Sequence, residues 1–94
     1  MNFKYRKKPI IVEAFQLTDK NKQDITTWPE WLQNAWDKDP NEVGSLYCVT
    51  TGLQIETLEG PLFVSMEDFI IQGVHGEIYP CKPDIFTATY EKVE

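Results

Sequence analysis

Hydrophobic and polar residues alternate along much of the chain, in the short runs that are typical of β-strands. Residues 2–8 place aromatic side chains on one face and basic side chains on the other, which predicts a strand with one wet side. Residues 9–17 are rich in branched side chains and predict a central strand, with Pro9 at its start or at a bend.

A helical period replaces this alternation after residue 26. Thr27 and Glu30 have the spacing of a capping box, and Pro29 falls in the first turn, where its missing N–H costs nothing. The apolar residues that then recur at three- and four-residue steps are Trp28, Trp31, Leu32, Ala35 and Trp36. The pattern predicts one helix, ended by Asp39-Pro40.

The second half of the chain predicts β-structure throughout. Short alternating runs separated by Gly-containing turns cover residues 45–51, 53–58, 61–65, 69–73, 77–80 and 85–93. Such spacing favours hairpins over crossovers. We therefore expect a single α+β domain over residues 1–94: a curved, mainly antiparallel sheet, or a partly open small β-barrel, of about six to seven strands with one helix.

Composition is that of a folded domain with an acidic balance. Hydrophobic residues make up 41% of the chain, and the net charge of -6 weakly opposes nonspecific binding to nucleic acid or anionic lipid. Met1 is not followed by an apolar leader, and no run of about eighteen apolar residues predicts a membrane span. We expect free thiols in a reducing cytoplasm.

The segment Gly73–Tyr90 concentrates the reactive residue types. It contains His75, Cys81 and Lys82, and a thiol beside an imidazole is the minimal nucleophile pair. Extended strand geometry would place His75 and Cys81 roughly 15 to 20 Å apart, which argues against a Cys-dependent enzyme. No metal-ligand spacing or cofactor signature is found, and Cys48 is interpreted as a small core residue.

Charged residues suggest structural roles. Neighbouring acids on a strand point to opposite faces, so we expect Asp68 to accept backbone N–H groups at a corner rather than to form a dyad with Glu67. The basic start around Arg6 invites a nucleic-acid interface, with interleaved aromatic residues for base stacking. We favour the alternative, in which the lysine row protects a strand edge.

Two further features could serve a ligand or a partner. Trp28 and Trp31 are most simply core residues, but a surplus indole at the surface would anchor a partner, and a homodimer through that face is an expectation. Pro80 and Pro83 restrict the backbone of the segment around them. This stiffness either directs the chain from one strand to the next or holds a ligand site in place, formed by Tyr79, Cys81, Lys82 and Asp84.

Three segments resemble a family of small uncharacterised proteins of tailed phages and prophages. They are YRKKPIIVEAFQL at 5–17, TLEGPLFVS at 57–65 and FIIQGVHGEIYPCKPDIFTATYEKV at 69–93. Where relatives commonly have a Pro-Gly-Asp corner, this chain has Met66-Glu67-Asp68. The resemblance implies a phage or prophage origin and expression in the host bacterial cytoplasm, and it transfers no catalytic residue.

The leading hypothesis is a noncatalytic accessory module that contacts a phage or host macromolecule, most simply a protein. The alternative is a protein that sequesters a small nucleotide-like ligand with Arg6, Tyr79 and Lys82. A Cys-dependent enzyme using Cys81 and His75 is the third hypothesis.

Overall fold

A computed structural model of the protein describes residues 3–6 and 8–93. Within these residues the chain forms six strands: β1 Glu13–Gln16, β2 Leu46–Val49, β3 Gly52–Thr57, β4 Gly60–Val64, β5 Phe69–Gln72 and β6 Ile78–Cys81. The same residues form three α-helices, α1 Asp19–Lys22, α2 Glu30–Asp37 and α3 Pro83–Thr89, and a 3-10 helix at Ile25–Thr27.

All strand pairs are antiparallel, and the strands are divided between two sheets. The first sheet has the order β1-β5-β6 and the second the order β2-β3-β4. The α+β class, the antiparallel pairing and the meander are therefore confirmed. The predicted single sheet is wrong, because the strands form two sheets, and these are not closed into a barrel. The prediction of one helix is also wrong, since the described residues form three α-helices. The strand predicted as central at residues 9–17 is β1, which lies at the edge of its sheet.

The core lies between the two sheets and helix α2. Both sheets contribute to it, together with Leu17, Trp28 and the inner face of α2. The buried apolar residues of this core are Leu17, Trp28, Leu32, Ala35, Leu46, Leu53, Ile55, Val64, Ile70 and Ile78. The helical period of α2 is thus confirmed, because Leu32 and Ala35 lie one turn apart on its buried face.

The helix begins differently from the prediction. Its cap residue is Pro29, which has no side-chain cap, while Thr27 belongs to the 3-10 helix and its hydroxyl donates to the carbonyl of Asp24. The capping box predicted for Thr27 and Glu30 is wrong. A capping box forms instead at α1, where Thr18 and Asn21 exchange hydrogen bonds.

The chain end predicted as a strand at residues 85–93 is wrong, because residues 83–89 form helix α3. Pro83 occupies the first helical position, which suits its fixed φ, and Asp84 is favourable in the first turn. Phe86 then stacks on Phe69 of β5, with ring centroids 3.8 Å apart. Helix α3 thereby covers the face of the first sheet that points away from the core.

The predicted N-terminal strand is also wrong for the residues that the structure describes. Asn2 and Lys7, which the prediction included, lie outside them; residues 3–6 and 8–12 form no strand. The reason is the length of β5. Glu13 of β1 already pairs with Gln72, the last residue of β5, so residues before Glu13 extend past the end of the sheet. The basic residues therefore cannot protect the edge of a strand here, because the described residues among them belong to no strand.

Cys48 is exposed, so its assignment to the core is wrong. It lies on β2 opposite Leu53, next to the turn that leads into β3. Gly52, the first residue of β3, has φ +145° and faces the ring of Phe63, where an added Cβ would meet a ring carbon at 2.9 Å. A glycine is needed there for both reasons.

Candidate functional site

The predicted nucleophile pair lies on the β5–β6 hairpin. His75 is exposed in the turn, whereas Cys81 is the last residue of β6 and pairs with Phe69. The two side chains therefore belong to opposite ends of the strand, and the hairpin does not bring them together. Burial, with the carboxylates of Asp68 and Asp84, raises the pKa of the Cys81 thiol. A thiol held protonated is a poor nucleophile.

A cluster of Ser65, Asp68 and Lys82, which we call the braced corner, fixes the entry to β5 and the exit from β6. The buried carboxylate of Asp68 accepts the backbone N–H of Ser65 at 2.9 Å. Lys82 Nζ lies 3.2 and 3.1 Å from the two carboxylate oxygens and 3.0 Å from Ser65 Oγ. The predicted backbone-capping role of Asp68 is confirmed, and its cationic partner is Lys82.

The residue before Asp68 adopts the conformation that a glycine favours. Glu67 has φ +73°, and its N–H donates to the carbonyl of Leu17 at 2.7 Å. A left-handed backbone is thus adopted here by a glutamate, at a conformational cost.

Tyr79 lies on β6 beside a cavity of about 260 Å³. Desolvation, a hydrogen bond with Tyr90 and nearby negative charge raise the pKa of Tyr79 to about 12, so its phenol is neutral near pH 7. The residues that line this acidic cavity are Val43, Gly44, Glu56, Thr57, Leu58, Glu59, Leu62, Glu77, Ile78 and Tyr79. It thus combines an apolar surface with three glutamates, and its described lining contains no basic residue.

The tryptophans contribute mostly to the interior. Trp28 is 4% exposed, packs edge to face on Trp36 and donates its Nε1–H to the carbonyl of Asn21 at 2.8 Å. It is therefore not a surface anchor. Trp31 is half-buried against the core, and its buried Nε1 has no hydrogen-bond partner among the described residues.

Arg6 belongs to a segment outside the strands and helices, residues 3–6 and 8–12, which we call the N-terminal arm; all of these residues are exposed except the half-buried Val12. Phe3 is 74% exposed and Tyr5 is 93% exposed. Residues 9–12 flank a wide groove of about 870 Å³, whose opposite wall is the end of α3 and the chain that follows it. The arm thus leaves four large apolar side chains in solvent, at Phe3, Tyr5, Ile10 and Ile11.

The structure separates the residues predicted to bind a nucleotide. Tyr79 lines the acidic cavity, Lys82 is held by Asp68, and Arg6 lies on the arm. Asp84 is exposed in the first turn of α3 and lines neither cavity. Within residues 3–6 and 8–93, no group of three or more His, Cys, Asp and Glu side chains could hold a metal ion.

The acidic cavity is the feature that the sequence analysis missed. Its signal was present in the turn between β3 and β4, where Leu58 stands between polar neighbours and is 91% exposed. An isolated leucine in a turn is ordinary. Only the fold shows that Glu77, from the β5–β6 turn of the other sheet, lies at the same cavity.

No protein-family model, curated protein or solved structure matches the chain. None of the helices in the described part of the chain is both long enough and apolar enough to span a membrane.

Proposed function

We propose that the protein is a noncatalytic binding module that contacts another protein through its N-terminal arm. The observation that carries the proposal is the exposure of Phe3 and Tyr5 on an extended segment that belongs to neither sheet. Burying a large apolar side chain is worth roughly 1.5–3 kcal/mol, so these residues gain most from a surface supplied by another molecule.

The charge of the arm defines the chemistry of the partner. Residues 1–12 contain four basic residues and no acidic one, whereas residues 13–94 contain five basic and 15 acidic residues. Positive charge interleaved with aromatic rings fits a surface that is both acidic and apolar. We therefore propose an acidic, partly apolar protein surface as the partner. A nucleic acid would use the same cations, but the acidic body of this chain opposes it.

The phage or prophage origin and the host cytoplasm remain part of the proposal. They rest on the resemblance of residues 5–17, 57–65 and 69–93. The nucleotide hypothesis gains no support from the acidic cavity, because phosphate groups are repelled by Glu56, Glu59 and Glu77. At about 260 Å³, the cavity is also smaller than the roughly 300–1,000 Å³ typical of small-molecule sites.

The test is affinity capture from lysate of infected cells, with quantitative mass spectrometry. The baits are the wild type, the double variant Phe3→Ser/Tyr5→Ser, and Val74→Ser as a matched loss of exposed apolar surface in the β5–β6 turn. We expect a partner that the wild type and Val74→Ser retain and that the arm variant loses. Identical partner lists for all three baits would refute the proposal, and loss only after nuclease treatment would indicate a nucleic acid.

A further inference from the structure

The chain itself carries a surface with the chemistry that its arm requires. The acidic cavity has apolar side chains at Val43, Leu58 and Leu62, and three glutamates among ten lining residues. The arm contributes the opposite charge and the aromatic rings. These two regions are complementary in both charge and polarity, and Phe3 and Tyr5 of the arm and Leu58 of the cavity are exposed.

Most of the residues that line the cavity come from the β3–β4 turn, the β5–β6 turn and the strands beside them. Leu58 is 91% exposed at the tip of the β3–β4 turn, and Glu59 beside it is exposed as well. Glu77 enters from the β5–β6 turn, where its carboxylate accepts the backbone N–H of His75 at 2.9 Å. Glu56 accepts a hydrogen bond from the Tyr47 hydroxyl at 3.1 Å. Two of the three carboxylates thus accept hydrogen bonds within the chain.

The size of the cavity suits a side chain better than a free ligand. A volume of about 260 Å³ lies below the roughly 300–1,000 Å³ of typical small-molecule sites, so we expect the cavity to take a single side chain with a cationic neighbour at the rim. An incoming arm would meet a lining that combines apolar side chains with carboxylates.

We infer that the arm of one copy docks in the acidic cavity of a second copy. The inference rests on the proposed function, since it names a second copy of this chain as one partner of the arm. In a two-fold symmetric dimer each chain would give one arm and receive one, so both interfaces form together. Tyr5 is the ring that enters the cavity, and Arg6 faces its glutamates, with the exposed Glu59 as the pairing site.

Sedimentation equilibrium at several protein concentrations and two salt concentrations tests the inference. The variants are Arg6→Glu in the arm, Glu59→Lys in the cavity, and both changes in one chain. We expect the wild type to dimerise, with weaker association at high salt. Each single charge reversal should weaken the dimer by about tenfold or more, and the double variant should recover most of that loss.

Matched controls change the same charges elsewhere. Lys22→Glu in α1 and Asp37→Lys at the end of α2 lie outside the cavity and should leave the dissociation constant within about twofold of the wild type. Circular dichroism of every variant verifies that the fold is retained.

The outcomes separate this inference from the proposed function. A wild type that stays monomeric at all concentrations, or a dimer indifferent to Glu59→Lys, overturns docking in the cavity. If such a monomer still captures another protein through Phe3 and Tyr5, the proposed function stands and only the second-copy partner fails. If capture is also independent of the arm, both fail.

Discussion

The braced corner and the N-terminal arm both combine positive charge with aromatic neighbours, but they use them differently. At the corner, Lys82 neutralises a buried carboxylate, and helix α3 begins at the next residue and places Phe86 on Phe69. In the arm, Arg6 and Tyr5 are exposed and belong to no strand. The corner's interactions are satisfied within the chain, so its residues maintain the fold. The arm leaves most of its apolar surface in solvent, so its residues are the ones available for binding.

The braced corner should account for a large share of the stability. Of the substitutions considered, we expect Asp68→Ala to lower the free energy of unfolding most. We expect a loss of about 3 kcal/mol in the free energy of unfolding, because the Ser65 N–H loses its acceptor and Lys82 loses its partner. Urea denaturation measures it. Since Lys82 is 54% exposed and can return to water, most of the loss comes from the buried side of the pair.

Glu91→Ala is the control for this substitution, because it removes an exposed carboxylate outside the corner. It should change stability by less than about 0.5 kcal/mol. Equal effects of Asp68→Ala and Glu91→Ala would show that the corner does not brace the fold. A double-mutant cycle with Lys82→Met should give a coupling energy on the order of 1 kcal/mol.

The next largest loss of stability is expected when the ring stacking between α3 and β5 is removed. Phe86→Ala should cost about 2 kcal/mol, below the usual cost for a core phenylalanine because Phe86 is only half-buried. Thermal and urea unfolding measure this loss. Its neighbour Ile85 is exposed, so Ile85→Ala should cost less than about 0.5 kcal/mol. If both alanine variants lose the same stability, α3 is not held by its aromatic face.

The left-handed backbone at Glu67, directly before Asp68, is a place where a substitution should stabilise the protein. Glu67→Gly should raise the free energy of unfolding by about 0.5–1 kcal/mol, because relief of strain at φ +73° exceeds the added chain entropy of glycine. Glu67→Ala keeps the strain and should not stabilise. A stabilising alanine would mean that the glutamate side chain, rather than the backbone, is the source of the cost.

The Tyr79 phenol should make stability fall in alkaline solution. Its pKa in the folded protein is about 12, above the ordinary 10.0, so the folded state holds this proton more tightly than the unfolded state. The contribution is fully present below about pH 10 and is lost as the pH rises towards about 12. The effect is small, because Tyr79 is partly exposed to solvent.

Unfolding free energies between about pH 9 and pH 12 check this expectation in the wild type and in Tyr79→Phe. The variant should lose less stability across that range. Desolvation and the Glu56 carboxylate also raise the pKa of Tyr47, so some alkaline loss remains in the variant. Parallel curves for the two proteins would exclude Tyr79 as the responsible group.

Local patterns predicted the parts of the fold that depend on neighbours in sequence. The meander β2-β3-β4, the β5–β6 hairpin and helix α2 were predictable because short turns and a helical period define them. Asp68 was predictable as an acceptor at a corner. Its pairing with Lys82 could not be predicted from the sequence. Asp68 directly precedes β5 and Lys82 directly follows β6, so the two residues meet only because β5 and β6 pair in this register.

The errors occurred where tertiary structure overrides local preference. Residues 83–89 carry branched and aromatic side chains suited to a strand, yet Pro83 and the Phe69 ring favour a helix packed on the sheet. The arm has a strand-like alternation but no partner strand, because β5 ends opposite Glu13. The acidic cavity joins turns from both sheets, and no contiguous motif could indicate it.

The variant Phe3→Ser/Tyr5→Ser tests the division between corner and arm most directly, when its unfolding free energy and its self-association are measured on the same sample. We predict a free energy of unfolding within about 0.5 kcal/mol of the wild type, and a dimer dissociation constant that is larger by about tenfold or more. A variant that loses about 2 kcal/mol of stability while associating like the wild type would contradict the account, because the arm would then belong to the fold.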